Sequence, residues 1–317
     1  MASLERDVPA YAAVKVWRPH TAEEAWRLKR QFGAAARYAA GGTWLRTRWE
    51  SGAAMMPLHL ISLEQIADMR GVQQIELASI GEPQSSFLRI GAITSLAQLM
   101  ESPLVTGVAP LLQEAARSIA APSIRQLATV GGNVLTRSGD LIPALAALDA
   151  QLVLCTGSGA NGGRHSGGYE RQPLIEWLAA SGNDSDSSVV VAVDIAAEPR
   201  SKPYWFRKIG RRESFSPSVI TAAGTFGIDA TGRLDDVRIV VSGTGMPAVR
   251  LYDAETAAEQ GAYGMALYAA VRAGVPSVSD DFAGSAYRRM AAANMIASEL
   301  DAAVRSIAAV GEVSADG

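Results

Sequence analysis

The chain has 317 residues, 48% of them hydrophobic, and a formal charge of −3. That apolar fraction suffices for a large core and the length predicts two or three subdomains, while so small a charge argues against a general nucleic-acid binder. Cys155 is the only cysteine, which excludes an intrachain disulfide, an iron–sulfur cluster on the chain's own thiolates and a cysteine-rich zinc site.

His20, His59 and His165 are scattered, and none has a metal-ligand spacing, so no metal site is expected. No apolar run approaches the roughly 20 residues that span a bilayer. Met1 to Trp17 mixes charged and small residues without a signal-peptide core. A soluble, cytoplasmic protein without membrane insertion is the expectation.

Thr21-Ala22-Glu23-Glu24 has the form of a capping box, with Glu24 reaching back, and predicts a helix to about Phe32. Ala35 to Ala39 predicts a strand running into Gly41-Gly42, and Leu58 to Ile61 a second short strand. Ile75 to Leu77 and Phe87 to Ile90 alternate apolar and polar residues as half-buried strands do. Thr94 is expected to cap a short helix to about Met100, and another helix covers about Pro110 to Ser118. Leu141 to Leu148 reads as helical, with Pro143 tolerated near its start. Gln151 to Cys155 reads as a strand that makes Cys155 an inert core thiol. Thr156 to Gly168, with His165 solvated, and Ser181 to Ser188 read as loops, and Val189 to Ile195 as a β-branched strand. After Glu198-Pro199, three strands are expected at Tyr204 to Ile209, Val219 to Ile228 and Val237 to Val241. Alanine-rich sequence with helical spacing follows from about Asp253 to Ala309, so the last third has an α+β pattern.

The most informative feature is a pair of small-residue loops far apart, Ala39-Ala40-Gly41-Gly42-Thr43 and Thr129-Val130-Gly131-Gly132-Asn133. Each can present backbone N–H groups with no side chain in the way. Taken singly, the first is equally an ordinary turn and the second a β-bulge or loop corner. Facing one another, they could hold a diphosphate from both sides. A Gly-x-Gly-x-x-Gly after the first strand is absent, so a dinucleotide-binding Rossmann fold is not expected.

In order, these segments resemble the FAD-binding medium subunit of the molybdenum hydroxylases, the group of carbon monoxide dehydrogenase and xanthine dehydrogenase. The resemblance covers most of the chain. It is carried by Arg18-Pro19 with Glu23-Glu24-Ala25, Ala40-Gly41-Gly42-Thr43-Trp44-Leu45 and Ile90-Gly91-Ala92-Ile93-Thr94. It continues through Pro122-Ser123-Ile124-Arg125-Gln126 into the second loop, then Gly139-Asp140-Leu141-Ile142-Pro143-Ala144-Leu145 and Ala147-Leu148-Asp149-Ala150. Phe206-Arg207-Lys208-Ile209-Gly210-Arg211-Arg212 and Tyr287-Arg288-Arg289 extend it. Trp44 departs from the family's usual Asp or small polar residue, and Arg46, Thr47, Arg48 and Trp49 are unusual in the segment that follows.

Physically, amides of Gly41, Gly42 and Thr43 can offset diphosphate charge, and Gly131 and Gly132 permit close approach. Thr43, Thr129 and Asn133 can add side-chain hydrogen bonds. Asp140 suits a ribose hydroxyl or an adenine amino group, as the resemblance implies, and equally an N-cap of the next helix. The resemblance places Lys208 beside the flavin ring, where a cation would raise the potential, whereas Arg207, Arg211 and Arg212 read as a solvated edge or a partner contact. Trp44 could stack on an aromatic ring or fill the core.

The resemblance thus implies an α+β protein: a two-subdomain FAD-binding fold of the vanillyl-alcohol oxidase type plus a C-terminal three-stranded antiparallel sheet with helices. The expected divisions are 1–55, 56–198 and 199–317. It implies cofactor contacts at Ala39, Ala40, Gly41, Gly42, Thr43, Trp44, Thr129, Gly131, Gly132, Asn133, Asp140 and Lys208, with no catalytic residue on this chain. It implies FAD here, [2Fe–2S] clusters on a small partner subunit and molybdopterin on a large one. Electrons would pass through FAD to NAD or another acceptor. A self-contained flavin oxidoreductase, and a non-catalytic assembly protein that has lost FAD, remain alternatives.

Overall fold

Three sheets, each with its own helical cover, organise the computed structural model, which describes residues 13–77, 85–157, 168–180, 188–197, 202–211 and 217–315, with side chains to 307. The expected loops at 156–168 and 181–188 lie largely outside the described residues, as do His165 and Arg212.

The first sheet is built from β1 (Lys15–Trp17), α1 (Ala22–Phe32), β2 (Ala36–Ala39), α2 (Thr43–Glu50) and β3 (His59–Ser62). Its strands are parallel in the order β1-β3-β2. The central strand β3 follows residue 55 in the chain and completes this sheet. Thr21 caps α1, its hydroxyl accepting from the Glu24 amide, while the Glu24 carboxylate reaches back to the amide of His20.

The second sheet is antiparallel, in the order β4-β5-β8-β6-β7: β4 (Val72–Leu77), β5 (Ser85–Gly91), β6 (Gln151–Cys155), β7 (Tyr169–Pro173) and β8 (Val189–Ala196). Between β5 and β6 come α3 (Leu96–Glu101), α4 (Pro103–Val108), α5 (Pro110–Arg117), α6 (Pro122–Arg125), α7 (Val130–Leu135) and α8 (Ile142–Ala147); α9 (Leu174–Ala179) follows β7. Alternation sends Leu88, Ile90, Leu152, Leu154 and Val193 into one core with Leu96, Leu112, Val130, Val134 and Leu145 of these helices. The cap of α3 falls on Ser95, not Thr94: Ser95 and Gln98 form a reciprocal capping box, and the Thr94 hydroxyl donates to the Gly71 carbonyl instead. Cys155 is buried and unbridged, and burial pushes its thiol up.

The third sheet is antiparallel, in the order β12-β11-β10-β9: β9 (Tyr204–Gly210), β10 (Ser218–Ile228), β11 (Leu234–Gly243) and β12 (Met246–Arg250). It has four strands, one more than the sequence predicts, because the short β12 folds back on β11 through Gly245 at φ +72°. Both faces are buried. Phe206, Ala223, Val240 and Ala248 join the core of the second unit. Ile220, Ala222, Ile239, Val241 and Met246 pack with α10 (Tyr252–Glu259), α11 (Gly264–Gly274) and α12 (Ser285–Ala315).

Before α12, Asp280 accepts hydrogen bonds from the Ala283 and Phe282 amides and from Arg288, which together pull its carboxyl from 3.8 to about 2. A folded pKa below the unfolded one gives stability that is complete above about pH 4 and lost as pH falls toward 2. Asp280→Asn is therefore expected to flatten the acid limb of a plot of thermal midpoint against pH, with little change in its shape at neutral pH.

Candidate functional site

The two glycine loops meet, and Gly41 shows how closely. A Cβ placed on it would lie 1.6 Å from the Leu127 carbonyl oxygen. Leu127 and Ala128 lead directly into Thr129, so the first loop's backbone rests on the approach to the second. This contact admits only glycine.

Ala39 ends β2, its carbonyl accepting from the Leu63 amide at 2.8 Å. Ala40 and Gly41 carry the chain to Gly42, the N-cap of α2, which sits at φ +65° and offers no side chain to cap the helix. The first bond of the helix runs from the Arg46 amide to the Gly42 carbonyl. The amides of Thr43, Trp44 and Leu45 have no acceptor among the described residues. A helix start with uncapped donors and positive dipole is a site for an anion. No residue of α2 is buried. Trp44 is 46% exposed, with the Arg48 guanidinium over its ring, so the core reading of Trp44 is corrected.

The second loop is the N-terminus of α7, capped by the Thr129 hydroxyl, which accepts from the Gly132 amide. Three more of its amides are committed: Val130 to the Thr94 carbonyl, Gly131 to the Ala92 carbonyl at 2.7 Å, and Asn133 to the Thr129 carbonyl. Among the described residues the unpaired amides therefore lie mainly in the first loop, with that of Thr129 the one left in the second. Gly131 instead permits contact with Ala92, where a Cβ would lie 2.9 Å from the carbonyl oxygen, and Gly132 leaves the corner bare. The Asn133 side-chain oxygen Oδ1 accepts from the Leu141 amide at 3.1 Å. That fixes the side-chain amide and orients its NH2 group.

Asp140 does not cap α8, whose N-cap is Leu141 without a side-chain bond. Its carboxylate instead pairs with the Lys208 ammonium at 2.7 Å and accepts from the Thr221 hydroxyl at 3.1 Å. Lys208 also donates to the Ser118 carbonyl at 3.0 Å. Lys208 and Thr221 are register partners across β9 and β10. The structure therefore brings Asp140 and Lys208 to one place rather than to opposite ends of a dinucleotide. Sequence reasoning missed Thr221 and the carbonyls of Ser118 and Leu127, since no local signal marks a residue chosen by strand register or by a backbone approach. Arg207 pairs with Glu299 and Arg211 with Asp280, both ion pairs internal to the chain. Among the described residues no cluster could ligate a metal ion, and no helix is long and apolar enough to cross a membrane.

Residues 12–186, which contain both loops and Asp140, match the family described as the FAD binding domain in molybdopterin dehydrogenase. The chain belongs to this family. It is 36% identical over 148 residues to the carbon monoxide dehydrogenase medium chain of Hydrogenophaga pseudoflava, over 46% of this chain and 47% of that one. The aligned stretch thus spans about half the length of that relative. It is 26% identical to the nicotinate dehydrogenase FAD-subunit of Eubacterium barkeri, over 68% of this chain and 69% of the relative. Among solved structures, a chain of the Hydrogenophaga pseudoflava carbon monoxide dehydrogenase lacking the Mo-pyranopterin moiety superposes with a TM-score of 0.78 at 26% identity. That superposition covers 92% of this chain and 96% of the other. The family description and the name of the nicotinate dehydrogenase relative both specify FAD, and this chain carries the FAD-binding domain of that family. The residues fit the group: an uncapped helix start with unpaired amides suits a diphosphate, and Gly41 and Gly42 put no side chain in the way.

Proposed function

We propose that this chain is the FAD-carrying electron-transfer subunit of a molybdenum hydroxylase complex. Its partners would be a small subunit with [2Fe–2S] clusters and a large subunit with molybdopterin, and NAD or another acceptor would take the electrons. When bound, FAD supplies the ability to take up electrons singly and release them singly or in pairs. The observation that carries this reading is the open N-terminus of α2 held against the Leu127 segment. The α2 amides of Thr43, Trp44 and Leu45 bind diphosphate oxygens, while Gly42 keeps side chains out of their way. Thr43, Thr129 and Asn133 add hydrogen bonds, and Ala39, Ala40, Gly131 and Gly132 shape the walls. Asp140 orients the Lys208 ammonium beside the flavin ring. The fold would be of the vanillyl-alcohol oxidase type, the first two sheets holding the diphosphate between them and the third closing the ring end.

The exposed position of Trp44, outside the loop rather than plugging it, favours carriage of FAD over a scaffold that has lost it. Purification from the native host tests the reading. Flavin absorption bands and co-eluting molybdenum and iron are expected; a flavin-free monomer that fails to take up added FAD overturns it. Lys208→Met is expected to lower the flavin midpoint potential in a dye-equilibrated redox titration, because a cation near the reduced ring favours its anion. An unchanged potential would remove Lys208 from the ring.

A further inference from the structure

The second sheet has another face, turned away from α3 to α8, and a cavity of about 820 Å³ opens on it. None of its lining residues belongs to either glycine loop. α7 packs instead in the core on the opposite face, through Val130 and Val134. Alternation along β5, β6, β7 and β8 brings Arg89, Val153, Arg171, Ala192 and Asp194 together on the cavity side.

Asp194 is 0% exposed and holds two guanidiniums. Its Oδ1 accepts from Arg89 Nε at 2.7 Å, and its Oδ2 accepts from Arg89 Nη2 at 2.6 Å and from Arg171 Nε at 3.0 Å. One carboxylate thus balances two cations, whose side chains remain 26% and 36% exposed beside the cavity. Arg70 supplies a third guanidinium, anchored by donation to the Glu64 carbonyl at 2.6 Å. Asp68 and Glu170 are the two carboxylates that also line the cavity. A guanidinium has five N–H donors in a planar fork, so arginines fixed by one acceptor keep others for a second. Val153, Val191 and Ala192 make an apolar floor. Hydrophobic walls with a few converging polar groups, in a volume of this size, are the ordinary makings of a small-molecule site.

We propose that this cavity binds a small organic anion, its carboxylate or phosphate gripped by Arg171, Arg89 and Arg70 and its body lying on Val153 and Ala192. Two guanidiniums held by Asp194 and a third held by the Glu64 carbonyl line the same ligand-sized space, and each guanidinium has more donors than these bonds use. The site is separate from the flavin cleft, so either reading can fail while the other stands.

The full chain, with FAD in excess, is titrated by calorimetry with inorganic phosphate and, separately, with benzoate. Saturable binding of at least one is expected, and it should weaken about tenfold or more in Arg171→Gln and in Arg70→Gln. Phosphate alone identifies a phosphorylated ligand and benzoate alone a carboxylate. Arg171→Gln leaves the Arg89–Asp194 pair in place, so circular dichroism and flavin content should match the parent. Failure of both anions to saturate, or binding that persists unchanged in either variant, overturns the proposal.

Discussion

Gly41→Ala is expected to abolish FAD retention and to destabilise the chain by about 2 kcal/mol or more, the range of a forced overpacking. The added methyl would lie 1.6 Å from the Leu127 carbonyl oxygen and 2.5 Å from its carbon. Both are backbone atoms, and the backbone there cannot step aside cheaply. The Ala128 amide donates to the Ile124 carbonyl at 2.7 Å, and the Ala128 carbonyl accepts from the Leu96 amide at 2.8 Å. Gly42→Ala is the matched control. Its new methyl meets nothing nearer than 3.8 Å, so its cost is that of the left-handed backbone at φ +65°, about 1–2 kcal/mol. Urea denaturation and the flavin-to-protein absorbance ratio measure both variants. If Gly41→Ala were as stable as the parent and fully flavinylated, the two loops would not meet as described.

The second large effect is expected at Arg89. Arg89→Leu removes both hydrogen bonds that this arginine gives to a fully buried carboxylate and leaves Asp194 with Arg171 alone. Breaking such a pair from one side costs about 3–5 kcal/mol, mostly because the remaining charge is stranded away from water. The lower end applies here, since Arg89 is partly solvated and Arg171 persists. Adding Asp194→Leu should recover much of the loss in urea midpoint, because no buried charge is then left uncompensated. A double variant no more stable than Arg89→Leu would show that the cost lies in packing rather than charge.

How far the sequence disclosed this molecule depended on whether the cause was local. The cap at Thr21, the strand before Gly41 and the apolar runs of β9, β10 and β11 are written in neighbouring residues, and the elements form there. The sequence Tyr169-Glu170-Arg171-Gln172-Pro173 carries no apolar alternation, yet it forms an edge strand because β6 offers it a partner. Met246 to Arg250 holds a proline in a short run, and its strand depends on a tight turn at Gly245. At the site, the glycines were conspicuous, but their reasons were not. Gly41 is needed because of a carbonyl distant in sequence, and most of the second loop's amides are consumed by Ala92, Thr94 and Thr129. Asp140 and Lys208 were read as separate charges with separate roles, and only the folded chain shows that they bind each other.

The two-sided burial of the third sheet sets where the polypeptide can be cut. The family match stops at residue 186, but Phe206, Ala223 and Val240 lie in the same core as Ile142, Leu145 and Ala146 of α8. A fragment ended at that border would bare this greasy seam to water and lose the lysine that pairs with Asp140. It is expected to clump when expressed alone: the stretch conserved as a recognisable module is smaller than the piece that can stand by itself.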